Sequence, residues 1–493
     1  MKRYKRVWIL LAVLVVCCAV TFGVSRYQEE QEKIASTDEV VLTIDPETVT
    51  ALSWDYGEES FSFHREDGWL YDDDEAFPVD ADTMEELLST FESFGVAFVI
   101  EDVEDYDQYG LEEPTCTIHI DTEDASYEIL LGAFSTMDQQ RYVSIGDGKV
   151  YLAASDPMEV YEKELSDLID NDEVPAFDLA EQLTFSGAAD YEISYQEENE
   201  ISYSDEDVYT TTVDGKTIPL DSSLVDSYLS TVQGLDLTNY VNYKATEEDL
   251  ETYGLAEPEL QFEMDYVTLD ENGDEQDGSF LLSVSRDPAE KAAEEAEAEA
   301  EAEAEAAEET DEAETDEAET DEEEETFTAY ARVGESPIVY QITEAEYTAL
   351  MACTADDLRH QEIFPCDFDQ VTELEITLEG ETYTITSEVT DDEETDEEVR
   401  TYYFQEEPLE VETLSEALTA LTADSFTKEA ADGQEEIRLT LTLDNDHYPT
   451  MELAFYRYDG TNCLAEVDGA PLALVPRSQV MALVEAVQAF VLN

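Results

Sequence analysis

Basic residues are scarce in this chain. Of 493 residues only 21 are Lys or Arg, against 128 Asp and Glu, and the formal net charge is −107. A nucleic-acid binder needs a basic face to replace phosphate counterions, so the balance argues strongly against that class. It also disfavours lying flat on an anionic membrane surface. Cysteine is scarce too. Of six, Cys17 and Cys18 sit inside the longest apolar run, which leaves Cys116, Cys353, Cys366 and Cys463. Four in so long a chain are no disulfide framework. Cys353 and Cys366 could bridge locally, but buried free thiols are the stronger expectation. The four histidines, His64, His119, His360 and His447, have no ligand-type neighbour three or four residues along a helix. No Gly-rich phosphate loop, nucleophile elbow or HExxH occurs. Acidic pairs are so abundant that they lend no specificity to a carboxylate-pair hydrolase. The expectation is a non-enzymatic protein with no catalytic residues and no cofactor.

What is present begins at the N-terminus. Lys2, Arg3, Lys5 and Arg6 precede the uncharged run Val7–Val24. Eighteen residues at a helical rise span roughly 27 Å, close to the hydrocarbon thickness. Cations before the run predict N-terminus inside. A cleaved signal peptide competes, but the run length favours an uncleaved signal anchor. The expected location is the plasma membrane, single-pass, with the bulk extracytoplasmic. The whole chain is 42% hydrophobic and 10% aromatic, enough apolar material for real cores in the outer portion.

That outer portion reads as one unit repeated three times. Tyr109-Gly110-Leu111-Glu112-Glu113-Pro114 recurs as Tyr253-Gly254-Leu255-Ala256-Glu257-Pro258. Before each lies an amphipathic helix. In the first, Asp82 can cap and Met84, Leu87, Leu88, Phe91 and Phe94 form a stripe; in the second, Leu224, Val225, Tyr228, Leu229 and Val232 do, with Gly234 as a stop. Alternating segments precede the helices, Thr48–Trp54 and Ser60–Arg65 making the first hairpin. A four-stranded meander and a closing helix follow each turn. The first closing helix is expected from Pro157, with Val160, Tyr161, Leu165, Leu168 and Ile169 on its apolar face. The exits match, as Val174-Pro175 and Phe364-Pro365. The third copy has Ala431-Asp432-Gly433 where the Tyr-Gly-Leu turn should be. The turn motif (Tyr109, Gly110, Leu111, Pro114; Tyr253, Gly254, Leu255, Pro258) is read as structural: Gly supplies positive φ, Tyr and Leu pack, Pro fixes entry into the next strand.

The fold class is therefore α+β: three tandem repeats of antiparallel sheet with two helices each, after one N-terminal transmembrane helix. The divisions are a basic tail (1–6), signal anchor (7–24), linker (25–39) and repeat units at 40–174, 175–364 and 365–493. An acidic low-complexity insertion occupies 288–326. Its Glu290–Glu325 portion holds 21 acids and one base, Lys291. Like charges four apart oppose a helix, so it is expected disordered or fraying-helical. It replaces the loop Ala133–Gln140 of the first unit. Asp270, Asn272 and Asp274 resemble the start of a calcium loop, but Glu275 stands where the turn glycine belongs. A polar hairpin turn fits better, leaving only weak calcium binding there.

Gly68-Trp69, Phe77-Pro78-Val79-Asp80 before the first helix and the Tyr-Gly-Leu-x-Glu-Pro turn together carry a likeness. So do Phe455-Tyr456-Arg457-Tyr458-Asp459-Gly460 and Val467-Asp468-Gly469. In these the chain resembles the bacterial domain of unknown function 4340 family over nearly all of 40–493. The resemblance implies one membrane helix and a repeated ectodomain, in some members linked with gliding-motility-type ABC transporter auxiliary components. It brings no catalytic residues. The expected partners are the membrane, through one helix, and other envelope or transporter proteins. The alternatives are a carboxylate-dependent envelope hydrolase and a surface divalent-cation or polymer binder.

Overall fold

The computed structural model describes residues 39–491, apart from 137–138, 198–199, 203, 205–206, 271, 309–326, 392–397 and 446. The apolar run Val7–Val24 and Cys17 and Cys18 lie outside the described residues. Among the described residues, no helix is long and apolar enough to cross a membrane. Two compact units are present. One holds the described residues up to Glu173 with Leu237–Thr246 and Pro337–Tyr340; the other holds the remainder.

Three nine-stranded antiparallel sheets make an α+β fold. The first contains β1 (Glu39–Leu42), β2 (Val49–Tyr56), β3 (Glu59–Arg65), β4 (Trp69–Tyr71) and helix α1 (Ala81–Glu92). It continues with β5 (Phe94–Ile100), β6 (Cys116–Thr122), β7 (Ser126–Ser135), β8 (Gln140–Ser144), β9 (Val150–Ala153) and α2 (Met158–Tyr161). Its order from the far edge is β4-β3-β2-β6-β7-β8-β9-β5-β1.

The second opens with β10 (Leu179–Gly187), β11 (Tyr191–Tyr195), β12 (Tyr209–Val213), β13 (Lys216–Pro219) and α3 (Ser222–Gln233). Then come β14 (Tyr240–Asn242), α4 (Glu247–Thr252), β15 (Leu260–Leu269), β16 (Glu275–Arg286), α5 (Pro288–Glu308), β17 (Ala329–Val333), β18 (Val339–Ile342) and α6 (Glu344–Met351). The third has β19 (Val371–Leu378), β20 (Glu381–Asp391), β21 (Glu398–Phe404), β22 (Glu407–Leu409), α7 (Glu412–Thr419) and β23 (Ser425–Phe426). It ends with β24 (Glu435–Leu443), β25 (Thr450–Arg457), β26 (Asn462–Val467), β27 (Ala470–Pro476) and α8 (Arg477–Val491).

The orders β13-β12-β11-β10-β15-β16-β17-β18-β14 and β22-β21-β20-β19-β24-β25-β26-β27-β23 are the same order. The first sheet follows it with one hairpin strand fewer and β1 added at the far edge. A bulge recurs as well. The first hairpin strand slips register against the first meander strand between Val49 and Ala51, between Ala180 and Gln182, and between Val371 and Glu373. An extra residue there bends the strand and increases its twist.

Alternation puts one face of each sheet into a core. In β2 and β3, Leu52, Trp54, Phe61 and Phe63 are buried, while Ser53, Asp55 and Ser60 stand on the other face. α1 covers the apolar face with Met84, Leu87, Leu88 and Phe91, each side chain contributing about 1.5–3 kcal/mol on burial. The third core likewise packs Ile376, Leu439, Leu453 and Phe455 under Leu418 of α7 and Leu483 and Val487 of α8.

Some expectations change. Asp80, not Asp82, caps α1: its carboxylate accepts the Thr83 amide. Phe94 leaves the helix stripe, because α1 ends at Glu92 and Phe94 opens β5 between β1 and β9. The closing helix of the first unit is a single turn, Met158–Tyr161, followed by a 3₁₀ turn at Leu165–Asp167. Leu168 and Ile169 are buried because that stretch bridges back to Val79, not because they share a helix face. All four described cysteines are buried free thiols, so Cys353 and Cys366 are not bridged.

Candidate functional site

The repeated turn motif is a backbone-approach device. In the first copy a 3₁₀ turn, Asp107–Tyr109, ends on Gly110 at φ +66°. Leu111 is buried, and the Tyr109 ring lies 4.9 Å from Tyr142 of β8. In the second, α4 leads through Tyr253 to Gly254 at φ +73°; Leu255 is buried and Tyr253 lies 4.8 Å from Tyr330 of β17. β8 and β17 are equivalent strands. A Cβ on Gly110 would meet the Ala133 amide of β7 at 2.9 Å; on Gly254 it would meet Ser285 Oγ of β16 at 2.8 Å. In the third copy a Cβ on Gly433 would meet the Arg457 carbonyl of β25 at 1.8 Å. So Gly433 meets the same strand as its counterparts. Pro114 and Pro258 stand just before β6 and β15.

The weak calcium candidates lie in the β15–β16 hairpin. Asp270 Oδ1 accepts the amides of Asp274 (2.9 Å) and Asn272 (2.8 Å), which holds its carboxyl below the usual range. That is the chemistry of an Asx turn, and it occupies the leading ligand.

The acidic insertion is rooted firmly. Asp287 caps α5 by accepting the amides of Ala289 (2.8 Å) and Glu290 (3.1 Å), and Pro288 occupies the first turn. Glu259, directly after the second turn motif, accepts from Lys291, from the Arg286 amide (2.9 Å) and from Tyr347 Oη (2.8 Å). Burial works against its charge, but these donors hold its carboxyl below the usual value. Capping and anchoring act on the first turn of α5, and residues 309–326 of the insertion lie outside the described residues.

An open cleft of about 570 Å³ lies on β10–β13. Thr184, Glu192, Ser194, Thr210, Thr212 and Thr217 line it as cross-strand pairs. It offers hydroxyls and two carboxylates, those of Asp190 and Glu192.

Two histidines sit in Ser–Asp–His groups. In the first sheet Ser62 Oγ and His64 Nδ1 both meet Asp72, the latter at 2.5 Å. In the second, Ser202 Oγ and His360 Nε2 both meet Asp207, the latter at 2.7 Å. Each serine donates to the carboxylate and not to the imidazole. A nucleophilic serine must hand its proton to the histidine, so this arrangement is not a hydrolytic triad.

The His360 group is the more elaborate. Asp207 is only 3% exposed. Beyond the other ring nitrogen, Nδ1, lie Asp221 Oδ2 at 3.5 Å and Glu362 Oε2 at 3.9 Å. Asp221 is the cap of α3, and its Oδ1 is taken by the Ser223 amide at 2.9 Å. Burial opposes an imidazolium here. The Asp207 hydrogen bond and the charges of Asp207, Asp221 and Glu362 outweigh it, raising the His360 pKa above 6.5. Among the described residues, Asp221, His360 and Glu362 form a group whose ligand atoms all lie within 4.8 Å of one another. Helical spacing does not reveal this group, since Asp221 is distant in sequence and Glu362 is two residues from His360.

No curated protein and no solved structure matches the chain. The family model described as "Domain of unknown function (DUF4340)" matches residues 69–258 and again 211–441. Each match runs from the later hairpin strands of one sheet through its meander into the first half of the next, and the second is the first displaced by one repeat. Together they cover about three quarters of the sequence, so the chain belongs to the family of the domain of unknown function DUF4340.

Proposed function

We propose that the chain is a non-enzymatic, membrane-anchored extracytoplasmic scaffold, accessory to an ABC-type export system of the gliding-motility kind. One observation carries the reading: a nine-stranded antiparallel sheet is built three times, twice in one order and once in a variant of it, each time with one face in a core. Repetition of a packing unit multiplies presented surface without adding chemistry, which is what an interaction platform needs. The four N-terminal cations and the apolar run Val7–Val24 support a single-pass anchor with the sheets outside. The transporter partner rests on the family likeness alone.

The test is affinity recovery of the full chain from mild-detergent membranes after crosslinking. A transporter permease recovered in stoichiometric amount supports the proposal. Recovery of cell-wall glycan without any permease counts against it. Hydrolysis of glycan lost on one Asp or Glu substitution would replace it with the hydrolase alternative.

A further inference from the structure

We propose that Asp221, His360 and Glu362 form a binding site for a divalent transition metal of the Zn²⁺ type, with Asp207 positioning the imidazole. This inference does not depend on the scaffold reading.

The geometry is that of an oriented ligand. Asp207, almost fully buried and also bonded by Ser202, accepts from His360 Nε2 at 2.7 Å. A proton held on Nε2 leaves the lone pair of a neutral ring on Nδ1. Carboxylates behind metal-binding histidines fix tautomer and ring direction in this way. Nδ1 faces Asp221 Oδ2 at 3.5 Å and Glu362 Oε2 at 3.9 Å. Both are long for hydrogen bonds. In a tetrahedral Zn²⁺ site with bonds of about 2.0–2.1 Å, neighbouring ligand atoms lie about 3.3–3.4 Å apart. Closing to that spacing takes a few tenths of an ångström between Nδ1 and each oxygen, and a larger movement between the two carboxylate oxygens, since the three ligand atoms lie within 4.8 Å of one another. Glu362, 48% exposed, is free to make the larger adjustment. Asp221 needs none of its capping oxygen, because Oδ1 serves the helix and Oδ2 faces the site. One imidazole with two carboxylates favours Zn²⁺ and its first-row neighbours over Ca²⁺ or Mg²⁺, which take oxygen ligands. Three protein ligands leave the fourth position to solvent.

The site sits where fixing the chain has a structural consequence. Asp221 donates its amide to the Leu358 carbonyl at 3.0 Å. Further along the same segment, Ala423 and Ile363 bond across to Gln361 and Leu421, and Glu362 bridges Thr422. A bound metal would clamp the α3 cap to the segment that pairs with the loop after α7. The first repeat has the same backbone joint: the Asp80 amide donates to the Leu168 carbonyl at 2.9 Å. There Asp170 and Asp172 stand where His360 and Glu362 stand. The imidazole is thus peculiar to the second joint.

The test is calorimetric titration of Zn²⁺ into the metal-stripped full chain, in excess Mg²⁺ and physiological salt to saturate the general acidic surface. Co²⁺ is then used as a visible-absorption probe of the site. One saturable Zn²⁺ per chain is expected, with slowed amide exchange over 358–363. Glu362→Gln, an exposed change that leaves the fold intact, should weaken binding at least tenfold. His360→Gln should do the same and abolish the Co²⁺ spectrum. Asp207→Asn should cost about 10–100-fold, as loss of an orienting carboxylate does. Asp270→Asn should change nothing. Absence of a saturable site, or wild-type binding by both Glu362→Gln and His360→Gln, would overturn the proposal.

Discussion

If the glycine of the repeated turn exists for close backbone approach, its replacement must cost more than its backbone conformation alone. Three alanine substitutions in the first sheet separate the terms. Gly57 has φ +62° and nothing within 4 Å of an added Cβ, so Gly57→Ala measures left-handed strain alone, about 1–2 kcal/mol. Gly110 has the same conformation, and its Cβ would meet backbone, Ala133 N at 2.9 Å, with Ala133 Cβ at 3.1 Å. Moving β7 away adds roughly 1–3 kcal/mol of overpacking, for a total of about 2–5 kcal/mol. Gly132 has no positive φ, but its Cβ would meet the Tyr109 carbonyl at 2.3 Å. Its cost is steric, at the upper end of about 1–3 kcal/mol. The assay is urea unfolding followed by Trp fluorescence in a Trp8→Phe background. The remaining tryptophans, Trp54 and Trp69, both belong to the first sheet, so the signal isolates that sheet in a chain that need not unfold in one step. Gly110→Ala and Gly132→Ala press on the same contact. Their double variant should therefore fall short of additivity by more than the ~0.3–0.5 kcal/mol seen for independent sites, whereas Gly57→Ala with Gly110→Ala should add. A Gly110→Ala cost no greater than that of Gly57→Ala would refute the reasoning.

Glu259→Gln removes the charge that Lys291 pairs with and weakens the acceptor of Tyr347 and the Arg286 amide. It should cost about 1–3 kcal/mol and speed amide exchange in the first turn of α5; unchanged exchange there would show that the anchor is idle. Burial pushes the thiols of Cys116 and Cys366 up to about 12 and those of Cys353 and Cys463 up to about 11. All four should resist a thiol reagent in the native state and label only as their regions open; fast native labelling of any would contradict the packing. Asp74 is pulled from 3.8 to about 2 by Lys244, then by Tyr243 and the Ala76 amide. A depressed carboxylate stabilises the fold above 3.8, and that contribution is lost as pH falls through about 2. Asp74→Asn should flatten that part of the acid-unfolding profile read by Trp fluorescence, and an identical profile would exclude the role.

How much of this was legible in the sequence varies by element, for physical reasons. The hairpins and meanders announce themselves because one face of each sheet is buried and period-two alternation follows. β13 and β22 do not: Lys216–Pro219 and Glu407–Leu409 are short edge strands, created by the neighbour they pair with. Leu165, Leu168 and Ile169 imitate a helix stripe, yet the last two are buried by an isolated bridge to Val79, ninety residues earlier in the chain. Spacing along one element cannot carry such information. The His360 group failed for the same reason, since a search within one helix cannot see a cap residue 139 positions upstream. A usable signal nevertheless existed. The exits Val174-Pro175 and Phe364-Pro365 set the register between the first two units. That register places His360 on Asp170 and Glu362 on Asp172, while the helix caps pair Asp221 with Asp80. In the first joint Asp170 is raised by burial and by the charges of Asp80, Asp172 and other acids around it. Crowded carboxylates at such a joint repel one another, and there are two ways to relieve them: keep one protonated, or place a cation among them. The second joint has exchanged a carboxylate for an imidazole, which lowers the negative charge by one when neutral and supplies a nitrogen ligand as well. A repeat protein offers this kind of internal control, because the same backbone joint carries Asp170 in one copy and His360 in the other.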